Sequence, residues 1–388
     1  MSTHILIAGA GIGGLGAALA LAQTGLKITV LEQSNVFGEV GAGVQISPNA
    51  YKVLCDWGLA DVLAKTANFP EKTQVRSAAS NKLLGQLELG NKASRRYGYP
   101  FATIHRADLH TLLLNAVRQQ PNVELHLNAK INNIVEQNQR VTVYTEAGVQ
   151  FTADALIGAD GLWSRVRRLV VSDQAPLATG HTAWRALLPL SDVPTELQQD
   201  QVTAWLAPDS HTIAYPVQQG KSLNIVYCAE NIGEIDLQPA YLLPKQLSKS
   251  LQKAFQIATE TNVWTCWDLF DRPPIASSAE MFNPAHLHIA LLGDAAHPML
   301  PYLAQGAGMA LEDAQALAMS MRQNPNDLSV ALQNYAQTRW QRNAKVQAKA
   351  RRNGKIFHAK LPVSWARDAA MEVLGEKLLD SPWLYAGY

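Results

Sequence analysis

Gly293-Asp294-Ala295-Ala296-His297-Pro298, continuing to Gln305-Gly306-Ala307-Gly308 and Leu311-Glu312-Asp313, follows the apolar run Leu287-His288-Ile289-Ala290-Leu291-Leu292 and leads into a stretch rich in Ala, Leu and Met. The run reads as a buried strand, the glycines as a turn, and the Ala-rich stretch as a helix. The first N–H groups of a helix lack internal partners and carry about half a positive charge, so an anionic group is expected against Gly306 to Met309. Asp294, at the end of the strand, reads either as a helix cap or as an acceptor for ribose or ribityl hydroxyls.

The N-terminus repeats the pattern. His4-Ile5-Leu6-Ile7-Ala8 is a short strand, Gly9-Ala10-Gly11-Ile12-Gly13-Gly14 follows, a helix runs from Leu15 to Gln23, and Lys27-Ile28-Thr29-Val30-Leu31 is a second strand ending on Glu32. Gly9, Gly11 and Gly14 have the dinucleotide-binding spacing: a tight turn, close approach to pyrophosphate and helix–strand packing each exclude a side chain. Glu32 lies where a carboxylate accepts from a ribose diol. Residues 38–47 carry too many glycines for a regular element until Pro48 opens a helix. A backbone this bare around Gly43 and Val44 suits a flat ligand.

A further helix begins at His105-Arg106-Ala107-Asp108 and runs to Gln119, with Leu109, Leu112, Leu113 and Ala116 on one face. Arg106 opposes the helix dipole there, which suits an external phosphate as well as a solvated surface arginine. Alternating strands are expected near 123–127, 131–136 and 141–146. Ala155-Leu156-Ile157-Gly158-Ala159-Asp160-Gly161 is then the third buried strand to end on an acid beside a glycine, after Glu32 and with Asp294. In an open parallel sheet such ends share one crevice.

From His181 to about Arg272 the glycines thin out and extended segments at 201–206, 212–217 and 223–229 are separated by turns, as in a mostly antiparallel sheet to which residues near 73–90 also contribute. His211 and Tyr215, four apart on one strand, point to one face. They suit proton removal from a substrate hydroxyl, or alternatively are a surface histidine beside a core tyrosine. The helical region 328–375 and the closing Ser381-Pro382-Trp383-Leu384-Tyr385 read as a packing brace or an oligomer contact. The domain expectation is a discontinuous nucleotide-binding domain from 1–72, 98–180 and 281–345, a substrate domain from 73–97 and 181–280, and a C-terminal helical segment at 346–388.

Composition narrows the partners. The 388 residues carry 33 Lys plus Arg against 32 Asp plus Glu, so nucleic acid and anionic membranes are not expected. The three cysteines, Cys55, Cys228 and Cys266, are far apart, with neither disulfide nor metal spacing, so no metal is expected and a reducing cytoplasm fits. The apolar N-terminus has no basic n-region and is broken by glycines, which argues against export.

Together these motifs resemble the single-component FAD-dependent aromatic hydroxylases, the p-hydroxybenzoate hydroxylase fold. Gly9-x-Gly11-x-x-Gly14 with Glu32, Asp160-Gly161 and the 293–313 run match its three fingerprints in order, and the likeness extends through His105-Arg106-Ala107-Asp108, Gly180-His181-Thr182-Ala183-Trp184-Arg185 and Trp383-Leu384-Tyr385. Within the family the chain looks most similar to salicylate hydroxylases, 3-hydroxybenzoate 6-hydroxylases and 6-hydroxynicotinate 3-monooxygenases. The resemblance implies a Rossmann-like α/β FAD domain with an inserted, mostly antiparallel substrate sheet and C-terminal helices. It places FAD on Gly9, Gly11, Gly14, Glu32, Gly43, Val44, Arg106, Asp160, Asp294, Gly306 and Ala307. His211 and Tyr215 fall where relatives carry a catalytic His and Tyr, and Pro301 beside the flavin carbon where oxygen reacts. NADH or NADPH, O2 and a small phenolic acid would be the co-reactants, with hydroxylation through a flavin C4a-hydroperoxide, in a monomer or homodimer. Gln45 and Tyr302 stand where histidines are expected in the hydroxynicotinate enzymes, and Pro301 where glutamine is expected in the 3-hydroxybenzoate enzyme. Arg185 or Arg76 would meet a substrate carboxylate. A same-fold FAD reductase or dehydrogenase, and a non-catalytic redox sensor, remain as alternatives.

Overall fold

The structure, a computed structural model, describes residues 3–38, 41–230 and 247–387. Four strands expected from their apolar runs, together with Val123–His126, form one five-stranded sheet in the order Ile289–Leu291, Ala155–Gly158, His4–Ala8, Lys27–Leu31, Val123–His126. All its pairings are parallel. The central strand reads as a continuous apolar run because both of its faces are buried; Ile5, Leu6 and Ile7 are 0% exposed, each contributing about 1.5–3 kcal/mol by burial. Because the strands are parallel, Ala8, Leu31, Gly158 and Leu291 end on the same edge, and the loops that carry the three acids gather there.

Two helices leave that edge, Ile12–Ala22 and Gly306–Gln323, and pack against each other. Gly16 eases their approach, since a Cβ there would lie a tight 3.2 Å from both Leu311 and Trp57. The long helix Leu328–Phe357 runs across Gly306–Gln323 and spans the expected boundary at 345/346.

The second sheet has seven strands in the order Thr265–Asp271, Leu177–Pro189, Ser222–Glu230, Ser210–Val217, Gln201–Ala207, Lys72–Ser77, Leu83–Glu88. Residues 72–88 do join it, and the pairing of Lys72–Ser77 with Gln201–Ala207 is parallel whereas its other pairings are antiparallel. One face is covered by the helix Lys249–Glu260. Leu251, Ala254, Phe255 and Ala258 are spaced for a helix face and pack on Trp184 and Tyr227.

The glycine-rich stretch before Pro48 also differs from expectation. Gly43–Ile46 is a short strand, paired antiparallel with Ala102–His105. Such pairing comes from a partner about 60 positions away and leaves no local periodicity. Among the described residues, no helix is long and apolar enough to cross a membrane.

Candidate active site

The first glycine loop is built by exclusion. Gly9 adopts φ +97°, and a Cβ there would stand 2.6 Å from the Ala159 carbonyl oxygen. At Gly14 a Cβ would stand 1.9 Å from the Gly9 carbonyl oxygen, so the loop closes only on glycine. Gly11 is the N-cap of Ile12–Ala22, with no side-chain cap and no acid in the first turn, which leaves its N–H groups for an external acceptor. The Glu32 carboxylate accepts from the Ala10 N–H at 2.8 Å and the Ser34 N–H at 2.9 Å. His110 Nε2 meets the Ala10 carbonyl at 2.8 Å from the other side.

The second loop is anchored from behind. Asp313 Oδ2 accepts from the Gly293 N–H at 3.2 Å and pairs with His297 Nε2 at 2.5 Å, while its Oδ1 takes Arg339 Nε at 2.7 Å. Glu312 beside it pairs with Arg339 at 2.8 Å and Arg342 at 2.7 Å, and Arg342 donates to the Trp383 and Leu384 carbonyls. The terminal Trp-Leu-Tyr is thereby tied to the base of the loop. Asp294 is exposed on the opposite side, and a Cβ on Gly306 would lie 3.9 Å from its Oδ1. The helix Gly306–Gln323 starts on Gln305 with no side-chain cap and no acid in its first turn.

A cavity of about 380 Å³ joins these loops. Gly11, Gly43, Val44, Arg106, Asp294, Gly306, Ala307, Pro301, His211 and Tyr215 all line it. Two helix starts free of side-chain caps, a cation, a carboxylate and a glycine-lined floor make a donor set that fits a flavin dinucleotide. Gly9, Gly14 and Glu32 shape the loop rather than line the cavity. Asp160 is also turned elsewhere: its carboxylate accepts from Ser164 Oγ at 2.5 Å and from the Arg165 and Val166 N–H groups at 2.7 and 3.0 Å, at the start of the helix Arg165–Val170. Its neighbours Ala159, Gly161 and Leu162 reach the cavity.

The strand Ser210–Val217 supplies the other end of the cavity. His211, Ile213 and Tyr215 alternate along it and all three line the space. Gly43 is needed here, because a Cβ on it would lie 2.4 Å from the Tyr215 ring. Asn224, opposite Tyr215 on the next strand, accepts from the Gly43 N–H at 2.7 Å and so stitches the flavin-side strand to the substrate sheet. Gly43→Ala is expected to displace Tyr215 and lower turnover about tenfold, ~1.4 kcal/mol, with FAD still bound, as read by flavin absorbance and steady-state rates. Arg185 lines the same cavity and lies over Trp267 at 3.9 Å from the ring centroid. Arg76 does not; it donates to Gln74 and to the Asn81 carbonyl.

Burial sets the protonation states. His211 is 2% exposed, and desolvation, then the neighbouring His358 and His181, hold its pKa well below that of a free histidine. Burial raises the Tyr215 phenol, against a smaller opposing effect of Arg185. Near neutral pH the pair is therefore a neutral imidazole and a protonated phenol.

Sequence reading missed the residues behind His211. Its Nδ1 lies 2.8 Å from His358 Nε2, and His358 Nδ1 lies 2.8 Å from Glu230 Oε1. His181 stacks on His358 at 5.3 Å and hydrogen-bonds the Tyr302 hydroxyl. The ring nitrogens of His181 and His358 and the Glu230 carboxylate lie within 4.8 Å of one another, one compact cluster behind His211. His358 is 147 positions from His211, and no periodicity links them.

Residues 2–350 match the family model described as FAD binding domain. The chain is 37% identical to 3-hydroxybenzoate 6-hydroxylase 1 of Aquipseudomonas alcaligenes, over 93% of this chain and 91% of that protein. It is 31% identical to 6-hydroxynicotinate 3-monooxygenase of Pseudomonas fluorescens, over 89% of this chain and 90% of that one. Among solved structures, HpxO of Klebsiella pneumoniae, complexed with FAD and uric acid, superposes with a TM-score of 0.86 at 24% identity, covering 99% of this chain and 96% of HpxO. The glycine loops, the helix starts and this match along most of the length lead to one assignment: the chain belongs to the FAD binding domain family, as an FAD-dependent aromatic monooxygenase with the p-hydroxybenzoate hydroxylase fold.

Proposed function

We propose that this protein uses NADH or NADPH and O2 to hydroxylate the ring of a phenolic aromatic acid of the 3-hydroxybenzoate or salicylate type. The observation that carries the reading is the meeting of His211 and Tyr215 with Gly43, Pro301 and the start of Gly306–Gln323 in one cavity. Relatives at 33–37% identity that act on 3-hydroxybenzoate support it. Gly11, Gly43, Val44, Arg106, Asp294, Gly306 and Ala307 are the groups that would hold FAD, with Gly9, Gly14, Glu32 and Asp160 shaping its loops. When bound, FAD supplies the redox chemistry, taking a hydride from the nicotinamide and activating O2.

The chain's own tasks are binding, orientation, proton removal and water exclusion. Arg185 is the partner for the substrate carboxylate, with its guanidinium preorganised over Trp267. His211, neutral, accepts the phenol proton; a phenolate ring is the more electron-rich one and the better target for an electrophilic oxygen. Tyr215, still protonated, donates to the developing oxyanion. Ile213, Val226, Leu269 and Leu300 make the surrounding walls apolar, which keeps water from the reacting centre. A second cavity of about 980 Å³ shares Gln45, Ile213, Pro301 and Ala304 with the first and is bordered by Lys345, Lys349, Arg352 and Lys355, a cationic approach for an organic acid. Reliance on cellular NAD(P)H, together with three free cysteines, supports a cytoplasmic location.

The test is NADH and NADPH oxidation with O2 uptake across a panel of hydroxylated aromatic acids, including salicylate, 3-hydroxybenzoate and 6-hydroxynicotinate, with product analysis. One acid should accelerate oxidation many-fold and leave a hydroxylated product. Cofactor oxidation that persists anaerobically with an acceptor, or peroxide as the sole product with every acid, counts against the reading. Two variants refine it. Tyr215→Phe should lower kcat about tenfold, the scale of one hydrogen bond to a charged oxygen. Arg185→Met should raise KM for acids about 10- to 100-fold and leave the uncharged phenol analogue unaffected.

A further inference from the structure

We propose that His358 and Glu230 are positioning residues that form a proton relay with His211, setting its tautomer and carrying the substrate's proton from the cavity to the Glu230 carboxylate. The proposal rests on the reading of His211 as the base.

The path consists of two contacts of 2.8 Å, His211 Nδ1 to His358 Nε2 and His358 Nδ1 to Glu230 Oε1. The burial gradient follows it: His211 and His358 are 2% and 3% exposed, whereas the Glu230 side chain is 25% exposed. Three separate elements hold the three residues in register. The Glu230 N–H donates to the Asp209 carbonyl at 2.9 Å, and the Asp209 N–H donates to the His358 carbonyl at 3.1 Å. Asp209 immediately precedes the strand that carries His211.

A carboxylate accepts but does not donate, so Glu230 places the His358 proton on Nδ1. His358 Nε2 is then an acceptor, which places the His211 proton on Nδ1. His211 Nε2 is left as a lone pair on the ring that lines the cavity. Glu230 thus selects, through two rings, the one tautomer of His211 that serves as a base. When a phenol O–H bond breaks, its proton joins His211 Nε2, the Nδ1 proton passes to His358 Nε2, and the His358 Nδ1 proton passes to Glu230. The result is a phenolate, a carboxylic acid and two imidazoles that now carry their protons on Nε2; the acid gives its proton to water, and a proton passed back along the same path to the departing product restores both Nδ1–H tautomers, with no oxidant or reductant consumed.

The other titratable groups around the path do not continue it. His181, from the strand Leu177–Pro189, uses Nδ1 for the Tyr302 hydroxyl, and its Nε2 stands 3.7 Å from Glu230, outside hydrogen-bond reach. Cys228, opposite His211 on the neighbouring strand, is buried, and burial raises its thiol pKa to about 12. Beyond Glu230, Asp209 is paired with Lys360 at 2.9 Å.

The experiment uses FAD-loaded His358→Phe and Glu230→Gln with 3-hydroxybenzoate as probe, following phenolate absorbance of the bound acid by stopped flow against pH. Both variants should form phenolate about tenfold more slowly, with the midpoint moved up by about one pH unit, the equivalent of that tenfold change. Glu230→Asp should recover part of the rate. Loss of packing alone would lower stability or FAD affinity without moving that midpoint. Wild-type rate and midpoint in both variants, with His211→Asn still impaired, would overturn the relay and leave the base reading intact. An unimpaired His211→Asn would remove the base itself. Should His358→Phe fail to fold, Glu230→Gln decides alone, since its polar side chain sits at the partly exposed end of the path.

Discussion

Replacing His211 with Asn should lower turnover about 10²- to 10⁴-fold, the usual contribution of a positioned general base, while FAD remains bound. Asn keeps a polar group of similar size but has no titratable lone pair, and the cofactor loops at Gly9–Gly14 and Gly293–Ala307 are not touched. The pH dependence makes the loss diagnostic. Burial and the nearby His358 and His181 hold the wild-type imidazole pKa below 6.5, so it stays in the accepting form at neutral pH. Wild-type activity should therefore be flat through pH 7 and fall only as pH drops through that lowered value. The variant should lack this acid limb and instead gain rate as pH rises toward the substrate's own ionisation, near 10 for a simple phenol. Steady-state kcat against pH, with flavin absorbance as the control for occupancy, checks both features. A variant with the wild-type profile would falsify the assignment of His211.

Asp313→Asn should destabilise the fold by about 3–5 kcal/mol, because it leaves His297 and the Asp313-facing side of Arg339 against a neutral group in a space closed to solvent. Asp313, His297 and Arg339 are all 0% exposed, and Asn343 also donates to Asp313 at 3.0 Å. At about 2.1 cal/mol/K per residue the melting temperature should drop by roughly 4–6 °C. Burial opposes ionisation of Asp313, but His297 and Arg339 outweigh it and hold its carboxyl well below the usual carboxylate range. Its stabilisation is consequently complete above the unfolded value of about 4 and is lost as pH falls through the lower native one. The gap between wild type and variant should be constant from pH 5 to 8 and narrow below 4. Because Asp313 also holds the Gly293 N–H, FAD affinity should weaken in parallel. Thermal melts across pH, followed by tryptophan and flavin fluorescence, measure both; melting within 1 °C of wild type would show that the cluster contributes little.

These two residues differ in how far the chain announces them. His211 and Tyr215 share a strand, and a period of two is enough to place them on one face. Asp313 lies in a run that reads as helix, yet its partners His297 and Arg339 come from a loop and a separate helix. The same contrast applies to the glycines. Gly9 and Gly14 are identifiable because their steric demands arise within one short loop and its neighbouring strand. Gly43 is harder to interpret, since the ring that excludes its side chain belongs to Tyr215, on a different sheet. Asp160 shows another limit: a carboxylate at a strand end suggests a cofactor ligand, while its hydrogen bonds to Ser164 and to the Arg165 and Val166 N–H groups emerge only once the following helix is in place.

The sequence alone determined the parallel sheet, the two glycine loops, the collected acids at one edge and the presence of a second, mostly antiparallel sheet. Each is announced by signals local to the chain, the strand and helix periods and the glycine spacing, even though the strands that pair lie as far apart as Ile5 and Ala155. The tertiary structure decided the cavity itself, the placement of Arg185 rather than Arg76 beside it, the pairing of Gly43–Ile46, and the line from His211 through His358 to Glu230. Those depend on side chains brought together from segments 60 to 150 positions apart, and the packing that joins such segments imposes no local period on the chain.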